Sequence, residues 1–204
     1  MHDAIDCVYY INLQSRPDRL MGMVGMLEEY QFRRAMRIEG VASSDGQTGC
    51  LRSHIRTLET FLETDYHVCV VLEDDFQFTQ APNTIRQAFA KFFQSLSSED
   101  WDIVMLASNT LRSMPHNDFL DKCLEAQTTS GYMINRRFAP TLLKLWRAAL
   151  PLLDERPDLY DVFGIDIVWK LLQPDSKWFI FSPKLGAQRP GYSDIVKTFV
   201  DYAC

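Results

Sequence analysis

The chain has 204 residues, 47% hydrophobic and 24% charged, with a net charge of -6. That is enough for one domain with its own core and an ordinary soluble composition. The negative balance argues against nucleic acid as a partner, and no run of about 18 apolar residues is present to form a transmembrane helix. The start, MHDAIDCVYY, lacks the basic and apolar segments of a secretory signal. The expectation is a single domain over residues 1–204, whole or part of a longer protein, in the cytoplasm. Five cysteines with no CxxC and no cysteine–histidine cluster at zinc spacing fit a reducing compartment.

In chain order, CVYYINL (7–13) is a β-branched and aromatic run that reads as a buried strand. The loop QSRPDR follows, then a Met-rich helix over 20–30, a second and unusually basic strand over 33–41, and a loop with two glycines over 43–49. Arg16, Arg19, Arg33, Arg34, Arg37, Arg52 and Arg56 crowd this first part of the chain. They form either a solvated face or a surface suited to an anionic ligand. From Cys50 to Glu63 the residues Leu51, Ile55, Leu58, Phe61 and Leu62 recur at helical spacing.

VCVVLEDDFQF (68–78) then drives an apolar strand into three acids. A helix around 84–96 and a strand over 102–107 follow. Strands alternating with helices imply an α/β fold with a mainly parallel central sheet flanked by helices. Beyond these lie a strand over 128–134, a helix over 136–150 ending at Pro151, a helix over 162–172, a short strand over 177–183 and a loop-like tail over 185–195.

Ligands of such sheets bind beyond the carboxyl ends of the strands, where Glu73, Asp74 and Asp75 fall. Adjacent carboxylates in a poorly solvated place cost several kcal/mol. Either the strand end is wet, or a hard cation such as Mn²⁺ or Mg²⁺ sits there, its shell completed by phosphates. Strand alternation puts Glu73 and Asp75 on one side and Asp74 on the other. No GxxxxGK[ST] or GxGxxG phosphate cradle competes.

TGCLRSHIRTLETFLETDYHVCVVLEDDFQF resembles the central block of glycosyltransferase family 25, which includes lipopolysaccharide and procollagen galactosyltransferases. INLQSRPDR (11–19) resembles the family's opening, TSGYMINRRFAPTLL (129–143) its Gly-Tyr strand and helix, and Gln188 with Ser193-Asp194-Ile195 its tail. The resemblance implies a GT-A fold, a nucleotide-sugar donor (most often a UDP-sugar), a glycan or glycoprotein acceptor and a divalent metal. Carried over residue by residue, Asp75 is the metal ligand, with Asp74 and Glu73 towards the donor. Asn12, Leu13, Ser53 and His54 in the matching blocks are donor-binding candidates. A lone His flanking the apolar face of its helix, as His54 does, is more often a hydrogen-bonded core residue than a ligand.

Glycosyl transfer places negative charge on a leaving diphosphate, which calls for cationic groups. Arg16 and Arg19 are the first candidates and Arg189 a further one. Gly131 suggests a strand closely approached by donor or acceptor. The resemblance implies inversion, which needs a carboxylate base on the acceptor hydroxyl. Asp166, set among Ile165, Ile167, Val168 and Trp169, suits that role, with Asp161 second; alternatively Asp166 merely pairs with Lys170. Two other readings compete. One is a nucleotidyltransferase or phosphohydrolase, for which Asp102 is the only further acid on a neighbouring strand. The other is a non-catalytic glycan-assembly or nucleotide-sugar-binding module.

Overall fold

The computed structural model describes residues 3–193 and 198–201. The elements run β1 (Cys7–Asn12), α1 (Pro17–Glu29), β2 (Ala35–Glu39), α2 (Gly46–Leu62), β3 (Val68–Glu73), β4 (Phe76–Phe78), α3 (Pro82–Ser95), β5 (Ile103–Met105), β6 (Asn109–Pro115), β7 (Leu120–Gln127), β8 (Gly131–Asn135) and α4 (Ala139–Glu155). After these come α5 (Tyr160–Phe163), α6 (Ile165–Val168), β9 (Trp178–Phe181), β10 (Gly186–Gln188), β11 (Gly191–Ser193) and β12 (Thr198–Val200).

Eight strands form one sheet in the order β2-β1-β3-β8-β5-β9-β7-β6. The sheet is mainly parallel in direction: β1, β2, β3, β5, β6 and β9 point one way, and β7 and β8 run against them. Each face carries its own core. Cys69 and Val71 of β3 turn to the side of Leu51, Leu58 and Trp146, on α2 and α4. Val68, Val70 and Leu72 turn to Met23, Leu27, Phe89 and Phe92, on α1 and α3. This is the two-residue period of a strand buried on both faces.

The structure changes several expected boundaries. The helix placed at Cys50 begins at Gly46, because Asp45 caps it by accepting from the Thr48 N–H at 2.8 Å. α4 runs through Pro151, carried on by Leu153, which is fully buried in the core. The helix expected over 162–172 breaks at Gly164, whose ψ of 150° is extended. A β-carbon there would lie 2.4 Å from the Tyr160 carbonyl oxygen. The tail pairs instead of looping: β10 joins β4 and β11 joins β12. Asp194 and Ile195 of the tail lie outside the described residues.

Candidate active site

β1 and β3 end side by side, with Ile11 opposite Glu73. The chain leaves β3 after Glu73 and turns through Asp74 and Asp75 into β4. The strand's alternation therefore stops at Glu73, and the expected division of the acids is corrected. Glu73 stands apart, its Oε1 accepting from His54 Nε2 at 3.2 Å and the Thr129 hydroxyl at 2.6 Å. Asp74 and Asp75 face α1 together, where Arg19 Nη1 donates to both at 2.9 Å.

This arrangement sets the charges. Burial pushes the Asp75 carboxyl up to about 6, helped by the charge of Glu73 and opposed by Arg19. Asp75 Oδ2 also accepts from Gln188 at 3.2 Å, whereas its Oδ1 is buried with no hydrogen-bond partner among the described residues. Burial also acts to raise Glu73, but the hydrogen bond and charge of His54, with the Thr129 hydroxyl, outweigh it and bring the group below its ordinary value. For Arg19, burial acts against the cation and the two aspartates overcome it.

Asn12 organises the acids from beneath. Its Nδ2 donates to Asp74 at 2.7 Å and its Oδ1 accepts from Arg37 at 3.0 Å. Ser53 accepts from the Val41 N–H and donates to the Gly49 carbonyl, tying the 40–43 loop to α2. His54 is fully buried with both ring nitrogens bonded, Nδ1 lying 3.1 Å from the Tyr132 hydroxyl. Glu73 is the acceptor of that pair, so Nε2 donates to it, while Nδ1 and the Tyr132 hydroxyl share the second bond.

The other wall is the segment between β7 and β8 with the pieces α5 and α6. Thr128 has φ 82°, a left-handed conformation rare for a β-branched residue. Its N–H donates to Asp166 Oδ2 at 3.1 Å, while the neighbouring Thr129 reaches Glu73. One short strap thus connects the two candidate carboxylates. Burial raises the Asp166 pKa. The Lys170 ammonium pairs with Glu125 at 3.5 Å, so the expected Asp166–Lys170 contact is replaced. Asp161 is exposed at the rim.

These walls enclose a cleft of about 680 Å³. It is lined by Leu13, Arg16, Arg19, Ser53, His54, the three acids, Asp161 and Asp166 among others. Arg16 also chelates Asp18 at the rim. Three expected donor contacts do not line the cleft. Asn12 is buried under it. Arg189 is turned to the backbone, its Nη2 donating to the Asp74 carbonyl and its own N–H to the Asp75 carbonyl. Gly131 is closely approached by the Phe76 ring, which would lie 2.5 Å from an added β-carbon. That protein contact replaces the donor or acceptor expected there. Gln188 and the 128–130 strap were missed as site elements. A Thr-Thr-Ser run offers no pattern by itself, and Gln188 stood out only through the tail resemblance.

The decisive comparison is with protein families. The model of glycosyltransferase family 25, described as LPS biosynthesis proteins, matches residues 25–153, more than half of the chain. The chain belongs to glycosyltransferase family 25. Family 25 membership makes it a glycosyltransferase, and its fold is that of the GT-A enzymes. Among solved structures, the chain is similar to a glycosyltransferase involved in glycosylation of the major capsid of PBCV-1. That pair is 12% identical, covering 92% of this chain and 94% of that one, with a TM-score of 0.55. It is also similar to A197 from STIV (14% identity, 95% and 92% covered, TM-score 0.51). GlyE of Streptococcus pneumoniae TIGR4 is a third (6% identity, 86% and 45% covered, TM-score 0.50). At these identities the likeness is one of fold. A comparison with curated protein sequences finds no match. Among the described residues, no helix is long and apolar enough to cross a membrane.

Proposed function

We propose that this family 25 chain is a metal-dependent hexosyltransferase. It moves a hexose from a nucleotide-sugar donor, a UDP-sugar such as UDP-galactose or UDP-glucose, to a hydroxyl of a glycan or protein-linked acceptor, with inversion. One observation carries the reading: a single cleft holds a carboxylate cluster at the end of β3, a paired arginine beside it and a separate, partly buried carboxylate, Asp166, across the space.

The residues fit a hard divalent cation, Mn²⁺ or Mg²⁺. Asp75 presents a buried carboxylate oxygen without a partner among the described residues, next to Asp74, and such ions take oxygen ligands. When bound, the ion supplies charge neutralisation to the leaving diphosphate. The chain's own groups supply the rest. Arg19 and Arg16 put fixed positive charge at the rim where a diphosphate gathers negative charge. Glu73 and Asp74, held by His54, Thr129 and Asn12, are oriented towards recognition of the nucleoside. Asp166 is fixed through one oxygen by the Thr128 N–H. Its raised pKa suits it to take the proton from the acceptor hydroxyl as the new bond forms.

The nucleotidyltransferase reading is weaker. Asp102 is engaged by the Lys177 N–H at 2.8 Å and Arg137 at 3.0 Å, and it does not line the cleft. It therefore adds no carboxylate to a two-metal site. Thermal-shift measurements with UDP-glucose, UDP-galactose and UDP-GlcNAc, with and without Mn²⁺, test the reading. Cation-dependent stabilisation by at least one UDP-sugar supports it. Stronger stabilisation by nucleoside triphosphates than by any of these sugars overturns it.

A further inference from the structure

Besides the oxygen cluster, the cleft wall carries a group of different chemistry. Cys50 and His54 lie four residues apart on one face of α2, and Glu73 at the end of β3 meets them. The thiol sulfur, an imidazole nitrogen and a carboxylate oxygen lie within 4.8 Å of one another. The sequence alone shows no cysteine–histidine cluster at zinc spacing. The pair becomes a cluster only when β3 brings its third member.

We propose that Cys50, His54 and Glu73 form a cation site of their own that selects Zn²⁺. The ligand set is one reason. Thiolate and imidazole favour zinc, whereas Mn²⁺ and Mg²⁺ favour the all-oxygen surroundings of Asp74 and Asp75. The spacing is another. On a tetrahedral zinc, nitrogen and oxygen ligands at about 2.0–2.1 Å stand about 3.3 Å apart, and a sulfur at about 2.3 Å stands about 3.6 Å from either. His54 Nε2 and Glu73 Oε1 are already 3.2 Å apart, so about 1 Å of closure brings the sulfur in as well.

The surroundings are a third, independent reason. Zinc-bound histidines hold their second nitrogen in a hydrogen bond that fixes the ring, and ligating carboxylates are themselves hydrogen-bonded. His54 Nδ1 has the Tyr132 hydroxyl at 3.1 Å, and its ring is wedged between Tyr132 and Trp146, with centroids 5.8 and 5.7 Å away. Glu73 has the Thr129 hydroxyl. All three ligands line the cleft, so the fourth position opens to water or a ligand, as in zinc sites that are not purely structural.

On binding, the Cys50 thiol gives its proton to solvent. The proton on His54 Nε2 leaves that nitrogen for the metal to bind, and Nδ1 keeps its bond with the Tyr132 hydroxyl. Binding therefore releases protons. The proposal stands on these side chains and not on the glycosyl-transfer reading, which can fail without it.

Co²⁺ is the probe, because a thiolate ligand gives it an intense near-ultraviolet charge-transfer band. The wild-type chain and Asp75→Asn should show the band, and Cys50→Ser should lack it. Zn²⁺ should displace the cobalt, bind at least about tenfold more tightly to wild type than to Cys50→Ser, and release protons on binding. If the serine variant folds poorly, the wild-type chain still decides: Zn²⁺ should protect Cys50 from alkylation, read by peptide mass spectrometry. No charge-transfer band in wild type, a band that survives Cys50→Ser, or alkylation of Cys50 unchanged by Zn²⁺ each overturns the proposal.

Discussion

Replacing Asp75 by Asn should make the protein more stable at pH 8, the opposite of the usual effect of altering a buried polar residue. Its carboxyl is pushed from an ordinary 3.8 up to about 6, first by burial and then by Glu73. That displacement corresponds to about 3 kcal/mol favouring the neutral over the charged form, and it already contains the attraction of Arg19. A carboxyl whose pKa is raised on folding stabilises the fold below its unfolded pKa, and that stabilisation is lost as the pH rises through the folded value. The window is therefore about pH 4 to 6. Above it, wild type holds a charge that its surroundings oppose, and the amide does not. Allowing for the lost Arg19 contact, Asp75→Asn should gain about 1–3 kcal/mol at pH 8. That is roughly 2–4 °C in Tm per kcal/mol for a chain of this size. The gain should shrink towards zero at pH 4. Thermal unfolding of both proteins at pH 4, 6 and 8 measures it. A variant less stable than wild type at pH 8, or a difference independent of pH, refutes the reasoning. A stabilising loss of charge is what a site reserved for a cation should show.

Arg19→Ala removes the guanidinium that holds Asp74 and Asp75 at 2.9 Å. It should cost about 3–5 kcal/mol in urea unfolding at pH 8, and less at pH 4, where Asp75 takes up a proton. Arg19→Lys should recover only part, since a single ammonium replaces the guanidinium fork that reaches both acids and the Tyr192 carbonyl. Asp166→Asn should lower turnover by about 10²–10⁴ at saturating donor while leaving donor affinity within about twofold; turnover within tenfold of wild type would remove Asp166 as the base. Gly131→Ala drives a methyl into the Phe76 ring and should cost about 1–3 kcal/mol. Its folded fraction should keep donor affinity in calorimetric titration, and a loss there would restore Gly131 to the donor site.

The readable parts of the sequence were those where burial imposes a period. β1, β3, α2 and α4 carry apolar residues at strand or helix spacing, and all four are present with shifted ends. The β6–β7 hairpin was not readable. β6 is an exposed edge strand, with Leu111 and Met114 half in solvent, so it has no buried face to mark it. β7 buries Leu120, Cys123 and Ala126, every third residue, a spacing closer to a helix than a strand. It pairs with β6 through two register shifts. At the site, the acids were visible as a costly strand end. Their partners Arg19, Gln188 and Thr129 come from three separate parts of the chain, and of these only Arg19 stands out in the sequence as a cationic candidate for the site. The sides taken by Glu73, Asp74 and Asp75 depart from strand alternation for a local reason: β3 ends at Glu73, so its geometry does not reach the next two residues. Gly131 marks a point of close approach, but a sequence cannot say that the approaching group is Phe76.

Calorimetric titration of UDP-galactose and UDP-glucose into wild type and Asp75→Ala, each with Mn²⁺ and with EDTA, bears most directly on the proposed function. Donor binding that requires the cation in wild type and is lost in Asp75→Ala is the predicted result. Donor affinity unchanged by EDTA and by the substitution would contradict the assignment of Asp75 to a metal–diphosphate site.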